Sequence, residues 1–334
     1  MTVGTGGARR VTAAVLPVIA WAGAARPLHA EAPRATPAAI EVDRSAAPGG
    51  RVGLGFDDGE PVDAWGVSLA LGWLERPIAL GAGSFGAGTP ASAPVRRRQT
   101  VALGGALAVG DSVVVDAVLR ASHQVGDRLA AAGDPARLSR GVLHDLRLGG
   151  RIRLVGDRAR AALLRAELTL PTGDDAALAG DAAWTLAWHL IGRATLPRQI
   201  GVAATAGIRL HGAEVVIGRR LVGDELLAAA GASVPLAALG LGDEPIALTA
   251  ELTYALGDRL GDRKGPSPAE ARLGVRLQAL PALAITASAG VGLNDQIGAP
   301  RLRALIALAW TPPGPPPAPG PALPPEAEDE PDEP

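Results

Sequence analysis

The sequence predicts an all-β fold, namely a transmembrane, antiparallel, up-and-down β-barrel of about twelve strands, and three observations carry that prediction. Polar and apolar residues alternate with period two between residues 64 and 310. One parity of the alternating segments carries no charge, and short connections take turns with long ones along the chain. Around this barrel the sequence divides into a signal peptide at 1–30, a flexible lead-in at 31–63, and a Pro-rich acidic tail at 311–334.

At the start, Arg9 and Arg10 precede an apolar run from Val11 to Ala25, and Leu28-His29-Ala30 stands before Glu31. A basic region, a short apolar region and an A-x-A-like site are the anatomy of a cleavable secretory signal. A membrane anchor is the competing reading, but Pro17 and Gly23 interrupt the run. It also falls short of the roughly 20 apolar residues that a spanning helix needs. The expected location is therefore the bacterial outer membrane, reached by export. With no cysteine in 334 residues, a disulfide framework and a thiolate metal site are excluded. A net charge of -2 gives no reason to expect nucleic acid as a partner.

In the middle, Asp145, Arg147, Gly149, Arg151 and Arg153 share one parity, while Leu146, Leu148, Ile152 and Leu154 hold the other. That is a strand with two chemically different faces. The pattern returns in Arg272-Leu273-Gly274-Val275-Arg276, in Arg301-Leu302-Arg303, in Thr249-Ala250-Glu251-Leu252-Thr253, and around Asp116, Arg120 and Arg209. Ala, Leu and Arg favour helices, and Glu225 to Leu236 could be drawn as one. An arginine at every second residue would, however, leave a helix no apolar stripe. A soluble sandwich also alternates. A charge on a lipid face costs about 2–4 kcal/mol at the midplane, and its absence from one parity favours the membrane.

Strands are expected near 65–74, 97–108, 112–123, 143–155, 158–171, 182–192, 200–211, 222–236, 245–257, 268–280, 283–294 and 299–310. Tight turns at Gly110-Asp111, Gly156-Asp157 and Pro281-Ala282 contrast with long connections at 75–96, 124–142 and 258–267. Short periplasmic turns and long outer loops are the outer-membrane arrangement, and an even strand count leaves both ends in the periplasm. Trp65, Trp73 and Trp310 stand where interfacial anchors belong. The tail after Trp310 is proline-rich and then acidic, an extended, self-repelling segment.

Several short motifs occur in a fixed order: His144-Asp145-Leu146-Arg147-Leu148-Gly149, then Leu168 to Asp174 (LTLPTGD) with Ala179-Gly180-Asp181, then Val222-Gly223-Asp224-Glu225-Leu226. Gly290-Val291-Gly292-Leu293, Ala299-Pro300-Arg301-Leu302-Arg303 and Trp310-Thr311-Pro312 close the series. In this order, from about residue 97 to Pro313, the chain resembles the barrel region of proteobacterial, myxobacterial-type outer-membrane proteins of the OmpA-family or transporter-like kind. The resemblance implies a porin-like barrel. Such barrels are often followed by a linker and a peptidoglycan-binding domain; this sequence stops within the linker, so cell-wall anchoring is not carried over.

If the polar parity faces the lumen, it collects Arg98, Arg120, Arg147, Arg151, Arg153, Arg165, Arg209, Arg272, Arg276, Arg301 and Arg303 against Asp116, Asp145, Glu167 and Glu251. Charge rings set ion preference, so a narrow, anion-preferring pore for small anionic solutes is one expectation. The other is a filled, structural or anchoring barrel whose arginines pair with carboxylates. The expected partners are outer-membrane lipid and such solutes; no cofactor is implied. An outer-membrane enzyme is the third reading. His123, His144, His189 and His211 lack paired metal spacing, and Ser122 and His123, as neighbours in a strand, point to opposite faces. Gly81-Ala82-Gly83-Ser84-Phe85-Gly86 matches a dinucleotide fingerprint without the βαβ context it requires. Pro171-Thr172-Gly173-Asp174-Asp175 reads as a turn.

Overall fold

A computed structural model describes residues 58–59, 62–80, 92–128, 137–174, 179–181, 183–213, 215–217, 220–242, 244–257, 267–294 and 298–312. The expected signal peptide, nearly all of the lead-in, the tail beyond residue 312, the Gly81–Gly86 loop and Asp175 lie outside these residues. In chain order the strands are β1 (Trp65–Leu80), β2 (Ser92–Val109), β3 (Val113–Arg128), β4 (Arg137–Leu143) and β5 (Leu146–Gly156). They continue with β6 (Arg160–Leu170), β7 (Thr185–Thr195), β8 (Gly201–His211), β9 (Val215–Ile217), β10 (Arg220–Val222) and β11 (Glu225–Pro235). The last four are β12 (Ile246–Gly257), β13 (Ala269–Leu280), β14 (Leu283–Gly292) and β15 (Leu302–Trp310).

Each strand of the main sheet pairs antiparallel with its sequence neighbour, and β1 closes on β15 from Val67 opposite Trp310 to Glu75 opposite Leu302. The result is a closed barrel, in which β4 and β5 together form one broken stave because both pair with β3. Counted that way the barrel has the expected twelve staves. The Glu225 to Leu236 stretch is strand β11, followed by a single 3-10 turn at Leu236–Leu239. Its period of two overrides its helix propensity.

The strands depart from the expected spans in several places. β1 continues to Leu80, β2 begins at Ser92, β3 continues to Arg128 and β7 runs Thr185–Thr195. Much of the connections expected at 75–96 and 124–142 is therefore strand that carries the ladder beyond the apolar band. The fourth stave begins at Arg137, not at residue 143, and the last strand begins at Leu302, not at 299. The connection 212–224 holds a small hairpin, β9 with β10, which pairs only with itself. The connections 110–112, 157–159, 196–200, 236–245 and 281–282 gather at one end with the N-terminal start of β1 and the close of β15, and the remaining connections between staves gather at the other.

The break between β4 and β5 is a β-bulge. Val142 faces Ser122 and Arg147 faces Val118, so the broken stave carries one residue more than β3 over that interval. An extra residue reverses the alternation. His144 and Asp145 are consequently both buried, each 7% exposed. At the opposite end Gly156 has φ +95, and a Cβ there would collide with the Arg160 carbonyl, so this tight turn requires glycine. Asp157 caps the same turn through Oδ1, which accepts from the N–H groups of Ala159 (2.7 Å) and Arg160 (2.9 Å). Those two bonds hold its carboxyl below the usual carboxylate range.

The two faces differ as the parity requires. Leu69, Leu71, Leu103, Leu119, Leu190, Leu252, Leu273 and Ile306 stand exposed on the outer wall, whereas Arg98, Arg272 and Glu270 are among the most buried side chains in the molecule. That is the reverse of a soluble globule. Trp65, Trp73 and Trp310 all point outward, 41–44% exposed. From Trp65 to Trp73 the strand rises about 27 Å, or about 20 Å along the axis of a barrel tilted near 40°, close to the apolar band of such proteins.

Candidate functional site: the charged lumen

A twelve-stave barrel measures roughly 24 Å between opposite backbones. Two arginines reaching in from opposite walls, each about 7 Å long, take up more than half of that width. The interior is therefore decided by side chains, and these form two clusters.

The first lies on β12, β13, β15, β2 and β3. Glu270 Oε1 accepts from Arg272 Nε and from Arg303 Nε, both at 2.7 Å, and its Oε2 accepts from their Nη2 atoms at 3.3 and 3.1 Å. Arg272 also pairs with Glu251 at 3.6 Å. Arg98 donates from Nε to Gln124 Oε1 at 2.5 Å, with the charges of Arg120 and Arg303 close enough to act on it. Beside them Ser122 Oγ and His144 Nε2 are 2.8 Å apart.

The second cluster lies on β3, β5, β6, β8 and β11. Arg165 forms a bidentate pair with Asp116 at 2.6 and 2.9 Å and reaches Glu167 at 3.2 Å. Arg147 stands 4.0 Å from Glu167, and Arg209 donates to Glu225 at 3.0 Å. Gly149 lies opposite Asp116 in the ladder; a side chain there would occupy the space of the Asp116–Arg165 pair. Arg153 turns to the short-turn end, where its Nη2 donates to the Asp111 carbonyl at 2.6 Å.

Residues 172–173 and 179–181 of the connection between β6 and β7 fold onto the bulge. Asp145 Oδ1 accepts from the Gly173 N–H at 2.8 Å and Oδ2 from the Asp181 N–H at 2.7 Å, while Thr172 Oγ1 accepts from Leu146 N–H at 2.9 Å. A Cβ on Gly173 would lie 2.8 Å from the Asp145 backbone nitrogen, and one on Gly180 would lie 2.7 Å from the Gly173 carbonyl carbon. Both glycines are needed for this close approach. Burial pushes the Asp181 carboxyl up to about 7, with the neighbouring Asp145 carboxylate adding to the effect. The Pro171–Asp174 segment is thus a turn, as expected, and also a docking element.

Of the expected lumen residues, Arg98, Asp116, Arg120, Arg147, Arg151, Arg153, Arg165, Glu167, Arg209, Glu251, Arg272, Arg276 and Arg303 lie on the inward parity of their strands. Asp145 is inside, but as the holder of a loop rather than as a residue of regular strand. Arg301 is placed differently: it precedes β15, its side chain is 68% exposed, and it pairs with Glu75 at 3.8 Å at the rim. The inward carboxylates Glu225 and Glu270 were missed, as were the inward Arg193 on β7 and the buried Asp58 of the lead-in, so the interior excess of positive charge is smaller than the sequence count. Glu270 shares the parity of Arg272 and Arg276, a signal that was available. Glu225 leads a strand whose inward residues are Leu227, Ala229, Gly231 and Ser233, where parity has little contrast. The partner of Ser122 is His144 of the adjacent stave, and His123 faces outward.

The same architecture occurs in a solved COG4313 outer membrane channel from Pseudomonas putida F1, with a TM-score of 0.56 and 13% identity over 80% of this chain and 99% of that one. The likeness is one of fold, a closed antiparallel β-barrel. The NanC porin (TM-score 0.46, 5% identity, 73% of this chain and 98% of that one) and the KdgM porin in complex with disordered oligogalacturonate (0.43, 6%, 73% and 98%) are also similar. No protein-family model matches the sequence. No curated protein matches it either.

Proposed function

We propose that this barrel is a narrow, anion-preferring pore or transporter of the bacterial outer membrane, with small anionic solutes as its cargo. The observation that carries the reading is the composition of the lumen: arginines on β2, β3, β5, β6, β7, β8, β13 and β15 point inward, and the carboxylates among them are fewer. In a wall about 24 Å across, such charges govern which ions enter. The motif resemblance to OmpA-family and transporter-like barrels supports the same reading. In this proposal residues 1–30 are removed on export and the tail at 311–334 lies on the periplasmic side. Asp58 and Val62 of the lead-in are buried, and Gly59 packs beside Leu163, Ile191 and Arg193 of the inner wall.

One observation favours a second reading, a non-conducting structural barrel. Arg98 and Glu270 are both 0% exposed, and Gly173 and Asp181 are tied to the buried Asp145. Planar-bilayer recording of the folded protein separates the two. The pore reading expects discrete conductance with an anion-side reversal potential that moves toward cations in Arg151→Glu and Arg276→Glu variants. A folded protein without conductance establishes the second reading. Selectivity indifferent to both substitutions removes the lumen assignment.

A further inference from the structure

The outer wall is not uniformly convex. Between β14 and β4, across β15, β1, β2 and β3, it holds an apolar groove of about 880 Å³. The register explains it. One outward row runs Ala304, Trp73, Gln99, His123 and Gly141, and the row beneath runs Ile306, Leu71, Val101, Ala121 and Leu143. Small residues at Ala304, Gly141, Ala121 and Ala287 form the floor, and large ones at Trp73, Leu71, Leu143 and Ile306 form the walls.

Above the groove the chemistry changes. The next outward positions are Glu75 and Arg97, with the Arg97 guanidinium 5.5 Å over the Trp73 ring. Arg76, in a left-handed conformation at φ 50, Arg96 and Arg301 are also exposed at this rim. Among the described residues, four arginines and one carboxylate border an apolar trough at its interfacial end. Gln99 and His123, beside Trp73, mark that level as the interface.

We propose that this wall binds a phosphorylated lipid of the leaflet on the long-connection side, with an acyl chain in the groove and its phosphate against Arg97, Arg76 and Arg301. The inference rests on the reading of the chain as a membrane-inserted barrel. Arginine clusters beside an apolar surface recognise anionic head groups because guanidinium and phosphate match in charge and geometry. The groove accounts for the second half of the recognition, since a phosphate alone has no use for it. A plain convex wall would have none of these features, as on β11, where Leu226, Ala228, Ala230 and Ala232 face outward with no arginine in the strand.

The test uses the full chain refolded in lipid-free detergent micelles, with native mass spectrometry reading bound lipid. The probes are a bis-phosphorylated, hexa-acylated glucosamine disaccharide and its fully dephosphorylated form. Wild type is expected to hold the phosphorylated lipid at least ten-fold more tightly. Arg97→Gln with Arg301→Gln should lower that affinity by roughly ten- to thirty-fold. Ala304→Phe, which fills the groove, should weaken both lipids, while Ala230→Phe on β11 should change neither. Equal binding of the two lipids by wild type overturns the proposal and needs no variant to fold. So does equal damage from the two phenylalanines, or displacement of the lipid by millimolar inorganic phosphate. Heat-modified gel mobility, measured on each sample, separates the levels: a normal shift without lipid preference removes the lipid site alone, whereas no shift removes the membrane barrel.

Discussion

Replacing Glu270 with glutamine tests whether the lumen is held by charge. The carboxylate accepts four hydrogen bonds, two from each of Arg272 and Arg303, and is fully buried with its partners only 2% exposed. An amide of the same shape keeps one acceptor oxygen and turns its NH₂ toward a guanidinium, donor against donor. Charge-assisted bonds contribute about 1.5–3 kcal/mol each, and breaking a buried pair by removing one member costs about 3–5 kcal/mol. With two buried guanidiniums losing the carboxylate that joins them, the expected loss is about 3–5 kcal/mol. Urea unfolding of the micelle-bound barrel, followed by tryptophan fluorescence, measures it. A double variant adding Arg303→Met removes one stranded charge and restores apolar volume, so its loss should be smaller than that of Glu270→Gln alone. A single-variant cost below about 1 kcal/mol, or simple additivity in the cycle, would refute the claim that this triad acts as one unit.

The docked connection gives two further expectations. Gly173→Ala forces the segment off Asp145, so limited proteolysis at 171–184 should accelerate while the barrel stays folded. Because docking raises the Asp181 carboxyl from its ordinary value to about 7, docking is strongest below about pH 4 and weakens as pH rises through about 7. Above that, Asp181 is a charge facing Asp145 and Glu225, offset by Arg147 and Arg209. Protease sensitivity should therefore increase with pH in wild type and less steeply in Asp181→Asn; a sensitivity that falls with pH contradicts the assignment. On the outer wall, Ala230→Arg at the centre of β11 should cost about 2–4 kcal/mol in lipid, read by the same urea unfolding in vesicles. A neutral result there would mean this wall does not face hydrocarbon.

Most of the barrel was legible because its signal is periodic and redundant. A strand such as β13, with Glu270, Arg272, Gly274 and Arg276 against Ala271, Leu273, Val275 and Leu277, states its own two faces. The bulge was hidden for the same reason. Alternation in β5 reads cleanly from Asp145 to Leu154, and only the pairing of β4 and β5 with one neighbour reveals the additional residue. Contacts between distant segments were likewise out of reach. Asp145, Gly173 and Asp181 lie in motifs that recur in a fixed order, yet their hydrogen bonds belong to three dimensions. Ser122 with His144 is a similar case, as adjacency in sequence pointed to His123. Arg301 was misplaced because parity extends on paper past the point where the strand ends.

The bulge at His144 and Asp145 also sets how this chain tolerates changes of length. Arg147, Arg151 and Arg153 point inward only because one residue is spent upstream without advancing the ladder. Deleting a single residue there would put the stave back in phase with Val142 and turn all three arginines toward hydrocarbon, at a cost of about 2–4 kcal/mol for each one near the midplane. Alternatively β4 would invert, and Val142 would leave the lumen. No substitution at either position has that reach. A one-codon deletion would here reassign a whole wall of the barrel from water to lipid.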